Sequence, residues 1–236
     1  MITDTFEAFA HSLRILLESV WRSTELILVD PHEAAGNIEQ GLNQALNAFH
    51  SVYDVARTIK EIDFDWYATP QTATILAIRN ARHHNIAKRI RGLYTYHLQQ
   101  EHPENPRPYL LIDYPETEDG GDTFDVPISW FDLNNMLCMP QEENKLRKSA
   151  VRTISEYLSQ DKLNEYHEIL NISPSSIFIN VTPLIVNACK KFTPVIRPYV
   201  KPRSLESRQF LTMFDDVFEA DTHKHIVNKI NIFLSP

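Results

Sequence analysis

Apolar residues recur at helical spacing through the first hundred positions of this chain. Phe6, Phe9, Leu13, Leu16, Leu17 and Val20 share one face, the recurrence expected of an amphipathic helix. Asp4, with Glu7 three positions on, has the form of a capping box at its start. Asp30-Pro31 opens a second helix, with an acid at the cap, proline at the first helical position and Glu33 completing the box. Ile38, Leu42, Ala45, Leu46, Phe49, Val52, Tyr53 and Ala56 line its apolar face to about residue 60. An aromatic linker, 63–67, precedes Thr69-Pro70, which opens a third helix running to about Gln99 with Gly92 as its weak point. Three long helices joined by short links predict an antiparallel bundle.

The middle of the chain changes period. Residues 101–108 are polar and hold three prolines, which marks a loop. Tyr109–Ile112 and Phe124–Ile128 are short apolar runs on either side of an acidic stretch containing Gly120-Gly121. They predict a β-hairpin, with Pro127 placing the second strand at an edge. Ser129 then caps a short helix over 130–137. Helical periodicity returns over 142–157 and 163–170, prolines at 174, 183, 194, 198 and 202 keep the next elements short, and 205–218 and 222–234 read as closing helices. The expected fold is mainly α, a helical bundle with a small β-hairpin insertion. A boundary near residue 103 separates an N-terminal bundle, 1–102, from the hairpin and C-terminal helices, 103–236, which either stand apart or pack with the first as one domain.

Composition narrows the function. With 43% hydrophobic residues the chain of 236 can bury a real core. Five glycines, and neither GxGxxG nor GxxxxGK[ST], argue against dinucleotide and P-loop sites. Cys138 and Cys189 form no CxxC pair, the N-terminus lacks a signal-peptide pattern, and there is no long apolar run. A cytoplasmic protein without membrane association or cofactor is expected.

Charge supplies the chemistry. The chain carries a formal −8, yet from Ala68 to Gln100 there is no acidic residue, while Arg79, Arg82, Lys88, Arg89 and Arg91 fall in that stretch beside His83 and His84. A basic segment on an acidic protein predicts a phosphate or polyanion site. On a helix, Asn80, His84 and Lys88 share a stripe, and Arg79 and His83 form the next. A histidine near neutral pKa can move the proton of a ribose 2′-hydroxyl or a leaving oxygen. A guanidinium can hold the phosphate. These residue types suit RNA cleavage without a metal.

Arg79, Asn80 and His84 together read Arg-Asn-x-x-x-His in a helix of a helical bundle. This resembles the signature of the HEPN superfamily of ribonucleases and nucleotide-binding domains. The resemblance covers the motif and its helical context over roughly 1–100. It implies a bundle of four or five helices, a dimeric cleft that pairs two copies of the motif, and metal-independent RNA cleavage. Many members act as toxins or in defence against phage, and some bind without catalysis. The expected roles are His84 as general acid/base, Arg79 on the phosphate and Asn80 as its orienting amide. Arg82, His83, Lys88 and Arg91 would be supporting substrate contacts. Expected partners are RNA, a second copy of the chain, and an antitoxin or other protein.

The competing expectation is a non-catalytic helical module whose basic face grips an acidic protein or nucleic acid. Lesser candidates are His223 and His225 as a metal pair, the acidic loop Glu116, Glu118, Asp119 and Asp122 as a calcium loop or a flap over the basic helix, and Asp63, Asp65 and Trp66 beside the basic stripe. Lys190, Lys191, Arg197, Lys201 and Arg203 form a second basic region with Phe192 and Tyr199 interleaved. For each, a solvated or structural role is the simpler reading, and no metal ligand set is recognisable.

Overall fold

A computed structural model of the chain describes residues 1–83, 90–115 and 124–234. It is mainly helical, with one small sheet. The first two helices, α1 (Ile2–Leu26) and α2 (Pro31–Ala56), pack against each other along their apolar faces. Asp30 caps α2 as its sequence predicts, accepting the Glu33 backbone N–H at 2.9 Å. The first helix differs. It begins at Ile2, two residues before the expected cap, so Asp4 lies inside the first turn. Glu7 instead reaches across the molecule, where its carboxylate accepts the backbone N–H groups of Arg203 and Ser204 and the Ser207 hydroxyl.

The third helix, α3 (Pro70–His83), runs through the interior. Every residue from Gln71 to Ile78 is buried. A helix enclosed on all sides must satisfy its polar groups internally. Thr72 donates to the Trp66 carbonyl, Thr74 to the Pro70 carbonyl, and Gln71 to Glu219. The expected continuous helix to Gln99 is two elements among the described residues. Ile90 and Arg91 belong to no helix, Gly92 is extended, and α4 (Leu93–Leu98) starts afresh after it. The break has a physical cause: the Gly92 N–H donates to Glu39 Oε1 at 2.8 Å, and a Cβ at this position would meet that oxygen at 2.7 Å.

The sheet contains β1 (Arg107–Asp113), β2 (Pro127–Ser129), β3 (Ile177–Asn180) and β4 (Ile226–Ile232), in the order β2-β3-β1-β4. The two strands expected as a hairpin are therefore not neighbours. β3 lies between them, parallel to β1 and antiparallel to β2. Leu110, Leu111 and Ile112 are all buried, and such an unbroken apolar run demands partners on both sides. Pro127 does sit on an edge strand. The far edge is β4, antiparallel to β1 along its whole length. This segment was expected to be a helix, but Ile226, Val227, Ile230 and Ile232 are β-branched, and Val227, Ile230 and Ile232 are partly buried between exposed neighbours, which suits an edge strand.

The remaining helices are α5 (Trp130–Cys138), capped by Ser129 as expected, α6 (Gln141–Asn144), α7 (Lys148–Tyr157), α8 (Gln160–Ile169), α9 (Thr182–Ile196) and α10 (Leu205–Asp216). The helix predicted over 142–157 is split at Lys145, which adopts φ 60°, with Asn144 accepting the Leu146 N–H across the corner. α3 packs against α2, α7 and α9. Phe9, Phe49, Trp66 and Phe192 meet with ring centroids 5.2–6.0 Å apart, so residues on both sides of position 102 share one core. Among the described residues no helix is long and apolar enough to cross a membrane.

Candidate functional site

α3 leaves the core at its last turn. Ile78 and Ala81 still face inward, while Arg79 and Asn80 are half-buried and His83 is exposed. α2 runs beside this turn and contributes a polar stripe of Glu39, Gln40, Asn43, Asn47, His50 and Asp54 at spacings of one to four. Between the two helices lies a groove of about 260 Å³ lined by Gln40, Asn43, Leu46, Asn47, Arg79, Arg82 and His83.

Arg79 is held by amides. Its Nε donates to Asn47 Oδ1 and its Nη1 to Asn80 Oδ1, each at 3.1 Å. Asn80 Nδ2 in turn donates to the Tyr67 hydroxyl at 3.5 Å. No carboxylate among the described residues forms an ion pair with Arg79. Burial lowers its pKa from the ordinary value, while Asp54 and Tyr67 favour its charged form. Such a guanidinium is fixed in direction and has no carboxylate in contact among the described residues, an arrangement suited to gripping an anion.

The other arginines are engaged elsewhere. Arg82 is buried, with Nε on Asn43 Oδ1 at 2.8 Å, Nη1 on the Ile90 carbonyl and Nη2 on Glu39. It ties α2 to the segment that follows α3. Arg91 makes a two-pronged pair with buried Asp132, 2.7 Å for each prong, and lies over the Tyr96 ring at 4.6 Å. It lines a separate hollow of about 330 Å³. Both were expected as supporting substrate contacts, and each charge is instead matched by a carboxylate. His84 and Lys88, and the acidic loop 116–122, lie outside the described residues.

One turn along α2 from Asn47, beyond the groove lining, lies a pair that the motif does not contain. His50 Nδ1 lies 3.0 Å from Asp54 Oδ2, one turn apart on α2. Burial lowers the His50 pKa from its ordinary value, Arg79 and His83 add to that, and Asp54 opposes it. Tyr53 packs edge-on against His50 at 5.4 Å and against Tyr67 at 5.9 Å. His50 and Asp54 were legible as an i, i+4 pair, but nothing in the linear pattern links them to Arg79.

The lesser candidates resolve as structure. His223 bonds Ser159, and His225 bonds Tyr166 and the Thr222 carbonyl, with burial pushing the His225 pKa down to about 4. Lys191 pairs with Glu219, Arg197 with Asp215 and Arg203 with Asp4, while Lys190 caps the end of α10. Three of the five cations of that second basic region are thus paired with carboxylates. Asp65 accepts the N–H groups of Tyr67 and Ala68 at the entry to α3. Among the described residues no group of three or more His, Cys, Asp or Glu could hold a metal ion. Comparison with protein-family models, with curated proteins and with solved structures finds no match to this chain.

Proposed function

We propose that the protein is a metal-independent ribonuclease of HEPN type that acts at the groove between α2 and α3. One observation carries this reading: Arg79 is oriented by two amide side chains, has no carboxylate in contact among the described residues, and lines a groove together with His83. Arg79 grips the scissile phosphate and stabilises the charge that develops on it. Asn80 keeps the guanidinium aimed. His84 transfers the proton, with His83 as its neighbour. In the HEPN arrangement a second copy of the chain supplies the opposing histidine, and a toxin or phage-defence role with a protein antagonist is the corresponding biology.

The test is incubation of wild type, Arg79→Gln and His84→Ala with labelled single-stranded RNA and tRNA in EDTA. Cleavage by wild type, leaving cyclic-phosphate ends, with losses of ~100-fold or more in each variant and unchanged melting, is the expected result. A binding module is the second reading. It draws on the exposed apolar side chains Trp21, Leu28 and Val29 at the turn between α1 and α2. Such a module would retard RNA or an acidic protein in a gel without shortening any RNA.

A further inference from the structure

The hollow of about 330 Å³ that Arg91 lines lies between α2 and α4, with Gly36 and Gln40 on one side and Thr95, Leu98 and Gln99 on the other. Gln40 also lines the groove beside Arg79, so the two depressions adjoin. The hollow has the size of a small-ligand site. Its arginine differs from Arg79. Asp132 holds the Arg91 guanidinium by two prongs, 2.7 Å each, and the Tyr96 ring lies 4.6 Å away across its face. Arg91 lines the hollow and Tyr96 does not, so the ring backs the guanidinium from the side away from it. A clamped guanidinium whose charge is already matched grips phosphate poorly, but it keeps a flat face on which a nucleobase can stack. Among the described residues the side chains of Gln40, Thr95 and Gln99 form no hydrogen bond, which leaves two amides and a hydroxyl for the donors and acceptors of a base edge. Gly36 keeps the mouth open, since a Cβ there would meet no atom within 4 Å.

We propose that the hollow between α2 and α4 is a nucleobase subsite, which takes a base of the RNA strand whose phosphate Arg79 holds in the adjoining groove. This rests on the ribonuclease reading for the identity of the ligand. The base stacks on Arg91, Gln40 and Gln99 meet its edge, and Leu98 supplies apolar contact. The sugar–phosphate chain passes Gln40 on its way from the hollow to the groove. Gly36 and Asn47, at the two ends of this path, stand about 17 Å apart along α2. Only an unpaired base can leave its neighbours to enter such a hollow, so the substrate class is single-stranded RNA. Stacking and neutral hydrogen bonds displace few counterions, so the subsite adds affinity that salt does not weaken.

The experiment measures binding of short labelled 2′-O-methyl RNA strands, which cannot be cleaved through the 2′-oxygen, to wild type, Gly36→Leu and Arg79→Gln in EDTA. Each strand is used intact and with its bases removed. Wild type is expected to bind the intact strand about tenfold tighter than the abasic one. Gly36→Leu, which fills the hollow, is expected to lose that preference while binding the abasic strand as wild type does. It should melt no lower than wild type, because leucine suits a helix better than glycine and its Cβ meets no neighbour. Arg79→Gln should weaken both strands alike. Photo-crosslinking of wild type by a strand carrying 4-thiouracil should attach at Thr95, Leu98 or Gln99, a readout that requires no variant to fold. An unaltered preference in Gly36→Leu, equal wild-type binding of intact and abasic strands, attachment confined to other elements, or a mononucleotide that binds as tightly as the strand would each overturn this proposal and leave the ribonuclease reading standing. Wild type that binds neither strand would overturn the subsite as well, and the ribonuclease reading with it only if RNA also goes uncleaved.

Discussion

Arg79 and Arg82 stand three positions apart on one helix and do different work. Arg82 locks Glu39, Asn43 and the Ile90 carbonyl around a buried charge. Removing it strands Glu39, so Arg82→Ala should lower unfolding free energy by ~3 kcal/mol in urea titrations. Arg79→Gln should change stability little and, under the proposed ribonuclease function, act on RNA cleavage instead. Arg79→Lys should recover only part of the activity, because an ammonium keeps the charge but loses the fork that Asn47 and Asn80 hold. The basic segment was legible in the sequence, but its division into a structural and a ligand-facing cation was not. The carboxylates that decide it, Glu39 and Asp132, lie some forty residues before Arg82 and after Arg91. The place of the His50–Asp54 pair one turn from the Asn47 that bonds Arg79 was hidden for the same reason, since adjacency across helices leaves no trace in linear spacing.

At the scale of elements, helix existence was readable wherever one face was apolar, and α1, α2, α5 and α10 follow their patterns closely. The errors fall where tertiary contacts outrank local signals. Glu7 reads as half of a local capping box, yet it serves the start of α10, far along the chain. Burial raises its pKa, but the hydrogen bonds from Ser204, Arg203 and Ser207 outweigh this and bring it from 4.5 down to about 2. A carboxylate with a depressed pKa stabilises the fold fully above its unfolded value and progressively less as pH falls through its folded value. Glu7→Gln should therefore melt lower than wild type at neutral pH, and the gap should close between pH 4.5 and about 2. A gap that persists at low pH would show that geometry, not charge, sets the contribution. The strand β4 was misread as a helix because its alternation is weak and its exposed face carries Asn and Lys.

The molecule as a whole carries −8, while the groove between α2 and α3 shows, among the described residues, a single arginine without a carboxylate ion pair. Binding should accordingly neutralise few phosphates. The slope of log affinity against log salt for single-stranded RNA should be shallow, about −1 to −2, rather than the steep dependence of broad polyanion binders. The shared core makes a second test. Phe9, Phe49 and Trp66 need Phe192, so a fragment ending at residue 102 should lack cooperative melting and dispersed proton spectra. The sheet order has a consequence for the life of the chain in a cell. β1 pairs with β3 and β4, which emerge from the ribosome long after it. α9, which carries Phe192 under the site, also follows late. A nascent chain thus displays α2 and α3 without the support that sets their side chains, so the groove between them is assembled only after the ribosome has passed the elements that hold it.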